Sequence, residues 1–203
     1  MLKLALPTAA LLALSACKLL GNLPELTLGE DQQIPAISGS TTLDIPEGFA
    51  CGDEIADPEG KYTITSSGTA EACVFTMKQD VLVLAAEEYE ERPELQGATL
   101  VKRVEIDVKA LSITDDAGAA LAPDALDGKA FGVTILTAED LGAALPFTKT
   151  IDGAPIEDLK EIVAAQDDII IPVDIAMTVN IAPTPPAQIA FTFDAQPNLV
   201  FGF

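Results

Sequence analysis

The sequence predicts a mainly β protein: an antiparallel, β-sandwich-like domain with one or two short helices. Three observations point there. Apolar and polar residues alternate with period two through residues 99–112 and 169–181, and again in 189–194 and 199–203, which gives an extended chain one apolar and one polar face. Proline and glycine break the chain between such runs. Helical spacing occurs in two stretches, both short.

Taken in order, residues 18–40 have the composition of a tether that becomes ordered toward its end. Gly21, Asn22, Pro24, Gly29, Pro35, Ser38 and Gly39 break regular structure, while Glu25 to Leu28 suit an edge strand. Short strand candidates follow at 61–66, 72–77, 80–86 and 129–136. In 99–112 one face carries Leu100, Val104, Ile106, Val108 and Ala110, and the other Arg103, Glu105, Asp107 and Lys109. Thr137-Ala138-Glu139-Asp140 has the form of a capping box, opening one or two helical turns that end before Pro146.

Pro155 suits a first helical position, and Glu157 and Asp158 favour the positive end of a helix dipole. Ile156, Leu159, Ile162 and Val163 then form an apolar stripe, expected to dock on the protein's own sheet. In 169–181 the odd positions from Ile169 to Ile181 share one apolar face. Ala182-Pro183-Thr184-Pro185-Pro186 cannot extend a ladder and turns the chain. Ile189, Phe191 and Phe193, then Leu199, Phe201 and Phe203, resume the alternation. Two such sheets closing face to face bury both apolar sides.

The first residues carry a different signal. Met1-Leu2-Lys3 is a short positive start, and Leu4 to Leu14 is apolar apart from Pro7 and Thr8. That run is too short to cross a bilayer as a helix, which takes about 20 residues, and has the proportions of a secretory signal. Leu14-Ser15-Ala16-Cys17 follows directly. This tetrapeptide resembles the lipobox of bacterial lipoproteins. The resemblance covers residues 1–17 and implies nothing about the fold beyond them. It implies a diacylglyceryl group on the Cys17 thiol, cleavage between Ala16 and Cys17, and anchorage in the cell envelope. Lys18 after the lipidated residue resembles lipoproteins sent to the outer membrane in Gram-negative bacteria. The expected organisation is thus a lipoprotein signal peptide at 1–16, a lipidated N-terminus and tether at 17–40, and a single β-rich domain at 41–203.

Cys51 and Cys73 remain once Cys17 is alkylated. In an exported chain they are expected to form a disulfide; two buried thiols are the alternative. Closing a loop of roughly 20 residues stabilises by about 3 kcal/mol.

Acidic residues outnumber basic ones 32 to 11, for a formal charge of −21, yet 49% of residues are hydrophobic, which argues against intrinsic disorder. The basic residues are scattered among carboxylates, so nucleic acid is not an expected partner, and anionic headgroups repel this surface. Acyl chains solve the anchoring problem that charge cannot. The chain has no His, which excludes Ser-His-Asp and Cys-His catalysis and His-dependent zinc sites.

Ser15-Ala16-Cys17-Lys18 matches a Ser-x-x-Lys pattern, but the implied cleavage falls inside it. Asp53, Glu54, Asp57 and Glu59 form an acidic loop, and Asp115, Asp116, Asp124 and Asp127 a second group; neither has the spacing of an EF-hand loop. Glu87, Glu88, Glu90, Glu91 and Glu94 surround Tyr89 and Arg92. They read as a hydrated face, or as a docking site for a basic partner or divalent ion. Paired carboxylates also serve glycoside hydrolysis, but the chain has no Trp and two Tyr to stack sugars. A C-terminal Phe on an alternating strand occurs in outer-membrane barrels too, but only two or three segments are long enough for such a barrel, its aromatic girdles are missing, and a lipid anchor would be redundant.

The sequence therefore predicts no catalytic residue, cofactor or metal site. It predicts a lipid-anchored envelope protein whose domain is a non-catalytic binding or structural module with an acidic surface. A carrier for an apolar small molecule or lipid is the second expectation, and a calcium-dependent adhesion module the third.

Overall fold

The computed structural model describes residues 25–38, 41–53, 55, 60, 62–183 and 185–203. Among the described residues eleven strands form two antiparallel sheets: β1 (Leu26–Leu28), β2 (Ile37–Ser38), β3 (Thr41–Asp44), β4 (Thr63–Thr69), β5 (Ala72–Leu84), β6 (Leu100–Asp115), β7 (Ala125–Ala130), β8 (Val133–Thr137), β9 (Phe147–Asp152), β10 (Ile169–Val179) and β11 (Gln188–Gly202). The first sheet runs β1-β11-β6-β9, with β2 and β3 also on β11, and the second runs β4-β5-β10-β7-β8. The protein is mainly β and sandwich-like. Among the described residues no helix is long and apolar enough to cross a membrane.

The alternation read from sequence builds the core. Phe75 and Met77 from β5 and Ile171, Ile175 and Met177 from β10 are fully buried, as are Val104, Ile106 and Val108 from β6 and Phe193, Leu199 and Phe201 from β11. Phe49 stacks on Phe75 from the loop before β4. The stripe of α2 (Leu159–Ala165) is used as expected: Leu159 and Val163 are buried, and the helix packs on β6 and β10, so it closes over strands of both sheets. Asp140 accepts from the Thr137 backbone N–H at 2.8 Å, and a 3-10 helix occupies Ala138–Gly142.

Several boundaries differ from the sequence reading, each for a local reason. Candidates 72–77 and 80–86 are one strand, β5. Gln79 takes an inward position between Met77 and Val81 and interrupts the apolar face. Candidate 129–136 is a hairpin, because Phe131 and Gly132 both adopt positive φ (51° and 74°). This is the geometry of a tight turn that matches sheet twist, though Phe is an unusual residue to supply it. The 99–112 run changes phase twice. On β11, Val200 and Phe201 face Arg103 and Val101, and Asp194 and Ala195 face Ala110 and Val108. Lys102 and Lys109 are therefore the extra residues of two bulges. The buried face becomes Val101, Val104, Ile106, Val108, Leu111 and Ile113.

Residues 25–38 and 41–44 run along β11 as a strap. β1 pairs with Leu199–Phe201, β2 with Asp194–Ala195 and β3 with Gln188–Phe191. The expected edge strand at 25–28 is there as β1. Between β1 and β2 the chain leaves the ladder in a 3-10 turn, Glu30–Gln32. Pro197 of β11 falls in that gap, where no bond to the strap is required of it.

Candidate functional site

Two features lie where the strap meets the rest of the domain: a charged clasp and an acidic basin. The clasp is on the outer face of the first sheet. Glu25 meets Arg103 at 2.8 Å and Lys102 at 3.4 Å, and Glu30 pairs with Lys109. Both lysines are the bulge residues of β6, so the bulges re-aim their side chains beyond β11 toward the strap. Arg103, helped by Lys102, holds the Glu25 carboxyl below its usual range.

The strap lies close against the sheet. A Cβ on Gly29 would stand 2.1 Å from the Asn198 side-chain oxygen, and Asn198 is itself held by donating to Asp107 at 2.8 Å. Buried Gln196 donates to the Ile34 carbonyl at 3.1 Å, and Ile34 is buried beside it.

The basin is a cleft of about 760 Å³ lined by Asp31, Gln32 and Gln33 of the strap and by Glu87, Glu88, Glu91, Arg92 and Glu94. The second group surrounds the single helical turn α1 (Glu88–Glu91). The run of glutamates is thus neither wholly loop nor wholly solvated. Tyr89 and Leu95 are buried beneath it and pin the turn, leaving the carboxylates outward. Arg92 is already engaged: its Nε and a terminal nitrogen donate to one Glu88 oxygen at 3.0 and 2.7 Å. The basin therefore keeps a strong excess of negative charge. Sequence reasoning found the 87–94 half and missed the strap half. Asp31 is far away in sequence and lay in a segment read as tether.

Of the remaining predicted positions, Cys17 lies outside the described residues, as do Glu54, Asp57 and Glu59. Cys51 and Cys73 are joined, with Cα atoms 5.6 Å apart. Cys73 is buried on β5 and faces Gly68 of β4. The bond pins the loop 50–53 to that hairpin, and Ser66 adds to it by accepting from Gly52 N and donating to the Asp53 carbonyl. The second acidic group is dispersed into local structure. Asp115 accepts from the backbone of Ala117 and Ala119 in a turn, while Asp127 pairs with Lys129 at 2.8 Å and with Thr134. Among the described residues no group of three or more His, Cys, Asp or Glu is placed to hold a metal ion.

Electrostatics are one-sided throughout. Each of the eight described cations, Lys78, Arg92, Lys102, Arg103, Lys109, Lys129, Lys149 and Lys160, lies within ion-pair distance of a carboxylate.

The chain matches no protein-family model, no curated protein and no solved structure.

Proposed function

We propose that this is a bacterial cell-envelope lipoprotein, anchored through acyl chains on Cys17, whose domain is a non-catalytic module presenting an acidic surface. The observation that carries the reading is Leu14-Ser15-Ala16-Cys17 placed directly after the apolar run Leu4–Leu14. Position and charge support it. Eight residue steps separate Cys17 from Glu25, where the described chain begins. They span at most about 29 Å when fully extended, so the anchored domain stays close to the headgroups. Among the described residues every cation is already paired, so they form no basic patch with which to hold an anionic bilayer. More than one acyl chain supplies that hold.

The basin of Asp31, Glu87, Glu88, Glu91 and Glu94 is the surface offered, and a basic protein segment is its chemical complement. A partner of that kind is gathered by long-range attraction, and its binding weakens steeply with salt.

Metabolic labelling with palmitate tests the anchor. The wild-type chain should incorporate label and fractionate with membranes. Cys17→Ser should do neither. Label retained by Cys17→Ser, or an unmodified thiol on an exported and freely soluble chain, would overturn the proposal.

A further inference from the structure

The two sheets have four outer edges, and three of them are guarded. The strap edge leaves the ladder at the 3-10 turn Glu30–Gln32 and carries Asp44. β9 carries Lys149 and Asp152. β8 has five residues, and its pairing with β7 is interrupted by a register shift. Interruption, charge and bulges are the devices that stop an edge from recruiting another strand. β4 has none of these three, although the loop 50–53 is held against it through Ser66. It runs Thr-Ile-Thr-Ser-Ser-Gly-Thr over Thr63–Thr69, in unbroken register with β5, with no charge and no proline. Among the described residues no strand pairs with its outer edge.

The surface beside the middle of that edge is equally bland, while at its start Thr63 faces Lys78, which pairs with Asp174. Outward from Thr65 and Ser67 come Thr76 and Val74 of β5, then Ala176 and Thr178 of β10. In a chain where acids outnumber bases 32 to 11, an uncharged stretch of this size is an exception. Charge also decides which partner fits. Two copies of a chain at −21 repel one another over most of their surfaces, and they approach at least cost where both are neutral. An edge of free backbone N–H and C=O groups recognises another strand, and β4 is its own match. Antiparallel pairing about a two-fold axis sets Thr and Ser opposite Thr and Ser, a favourable cross-strand combination.

We infer that β4 is a self-association edge, through which two copies join their five-stranded sheets into one continuous sheet. The inference is independent of the anchor. A seam of one seven-residue strand is small, so the dimer is weak and exchanging.

Sedimentation velocity of the purified full chain in a density-matched detergent, across a concentration series, tests it. The expected result is a reversible monomer–dimer equilibrium that tightens as salt screens repulsion between the copies. Thr65→Lys should weaken dimerisation roughly ten-fold or more, because it places like charges across the seam. It does so while lowering the net negative charge, so a general electrostatic effect would act in the opposite direction. Thr134→Lys on β8 makes the same charge change on a different edge and should leave the dimer intact. Thr65 and Thr134 are both exposed, and unchanged thermal unfolding of each variant confirms that it folds. A chain that stays monomeric throughout the series, a dimer that weakens with salt, or equal behaviour of the two variants would overturn the inference.

Discussion

Tyr89 shows how a single side chain sets the basin above it. Its ring is buried under α1 and gives the turn a hold on the core. Among the described residues its hydroxyl has no hydrogen-bond partner, and a buried polar group left unsatisfied costs stability. Burial first, then the charges of Asp167 and Asp168, push its pKa up from 10.0 to about 12. Tyr89→Phe keeps the ring and removes the orphan oxygen. Its stability at neutral pH should be unchanged or higher by up to about 1 kcal/mol in urea unfolding. Alkali separates the two chains. Above pH 10 the unfolded tyrosine releases its proton while the folded one holds it. The stability present below pH 10 is therefore lost as pH rises toward 12. Wild type should weaken over that window more than Tyr89→Phe. Equal losses would show that the hydroxyl is hydrated and that burial does not govern it.

At the scale of elements, the strap is the part most sensitive to conditions, because charge and close approach hold it more than burial does. Glu25 stays ionised in the fold to lower pH than in the unfolded chain. The contribution of its ion pairs is present above 4.5, the ordinary value, and is lost as pH falls through and below it. Amide exchange at Leu26–Leu28 should therefore lose protection in that acid window before β6 does, once intrinsic rates are corrected for. Glu25→Gln should show the loss already at neutral pH. Gly29→Ala should do the same by forcing the strap off Asn198, whose oxygen lies 2.1 Å from the added carbon. Uniform protection of β1 and β6 at every pH would show that the strap is not a separate unit. The strap also marks the limit of what the sequence made legible. Period-two alternation found β10, β11 and most of β6, because nearly every inward position there is apolar. Leu26–Leu28 was readable for the same reason. The coverage of β11 by β1 to β3 was not, since it depends on pairing across some 160 positions. The two bulges were not either: Lys109 sat in phase with Glu105 and Asp107 on the outward face, and only pairing with β11 reveals the slip. Of the candidate site, Glu87 to Glu94 stood out as a charge run, whereas Asp31 is recruited by tertiary structure alone.

Across the whole molecule, two electrostatic effects oppose each other, and their balance can be measured. The eight described cations form close ion pairs, which salt weakens. Apart from Arg92, all of these cations are partly or largely exposed. Exposed pairs of this kind contribute little to stability. Against them stands the mutual repulsion of the remaining carboxylates in a chain at −21, which salt relieves. At about 0.01 M salt the screening length is about 30 Å, comparable to a small domain, so nearly every acid feels the others; at about 0.15 M it is about 8 Å. The repulsive sum is long-ranged and the attractive pairs are short-ranged, so salt should remove more destabilisation than stabilisation. The melting temperature should rise by several degrees over that interval, since about 1 kcal/mol corresponds to 2–4 °C for a chain of this size. Sodium and choline chlorides should act alike, because screening does not depend on the identity of the cation. Calcium at matched ionic strength separates screening from binding. An equal rise leaves the basin a diffuse field suited to a basic surface. A larger rise that saturates with calcium would mean that Asp31 and the glutamates of α1 gather around an ion, and the basin's assignment to a basic protein segment would have to be given up.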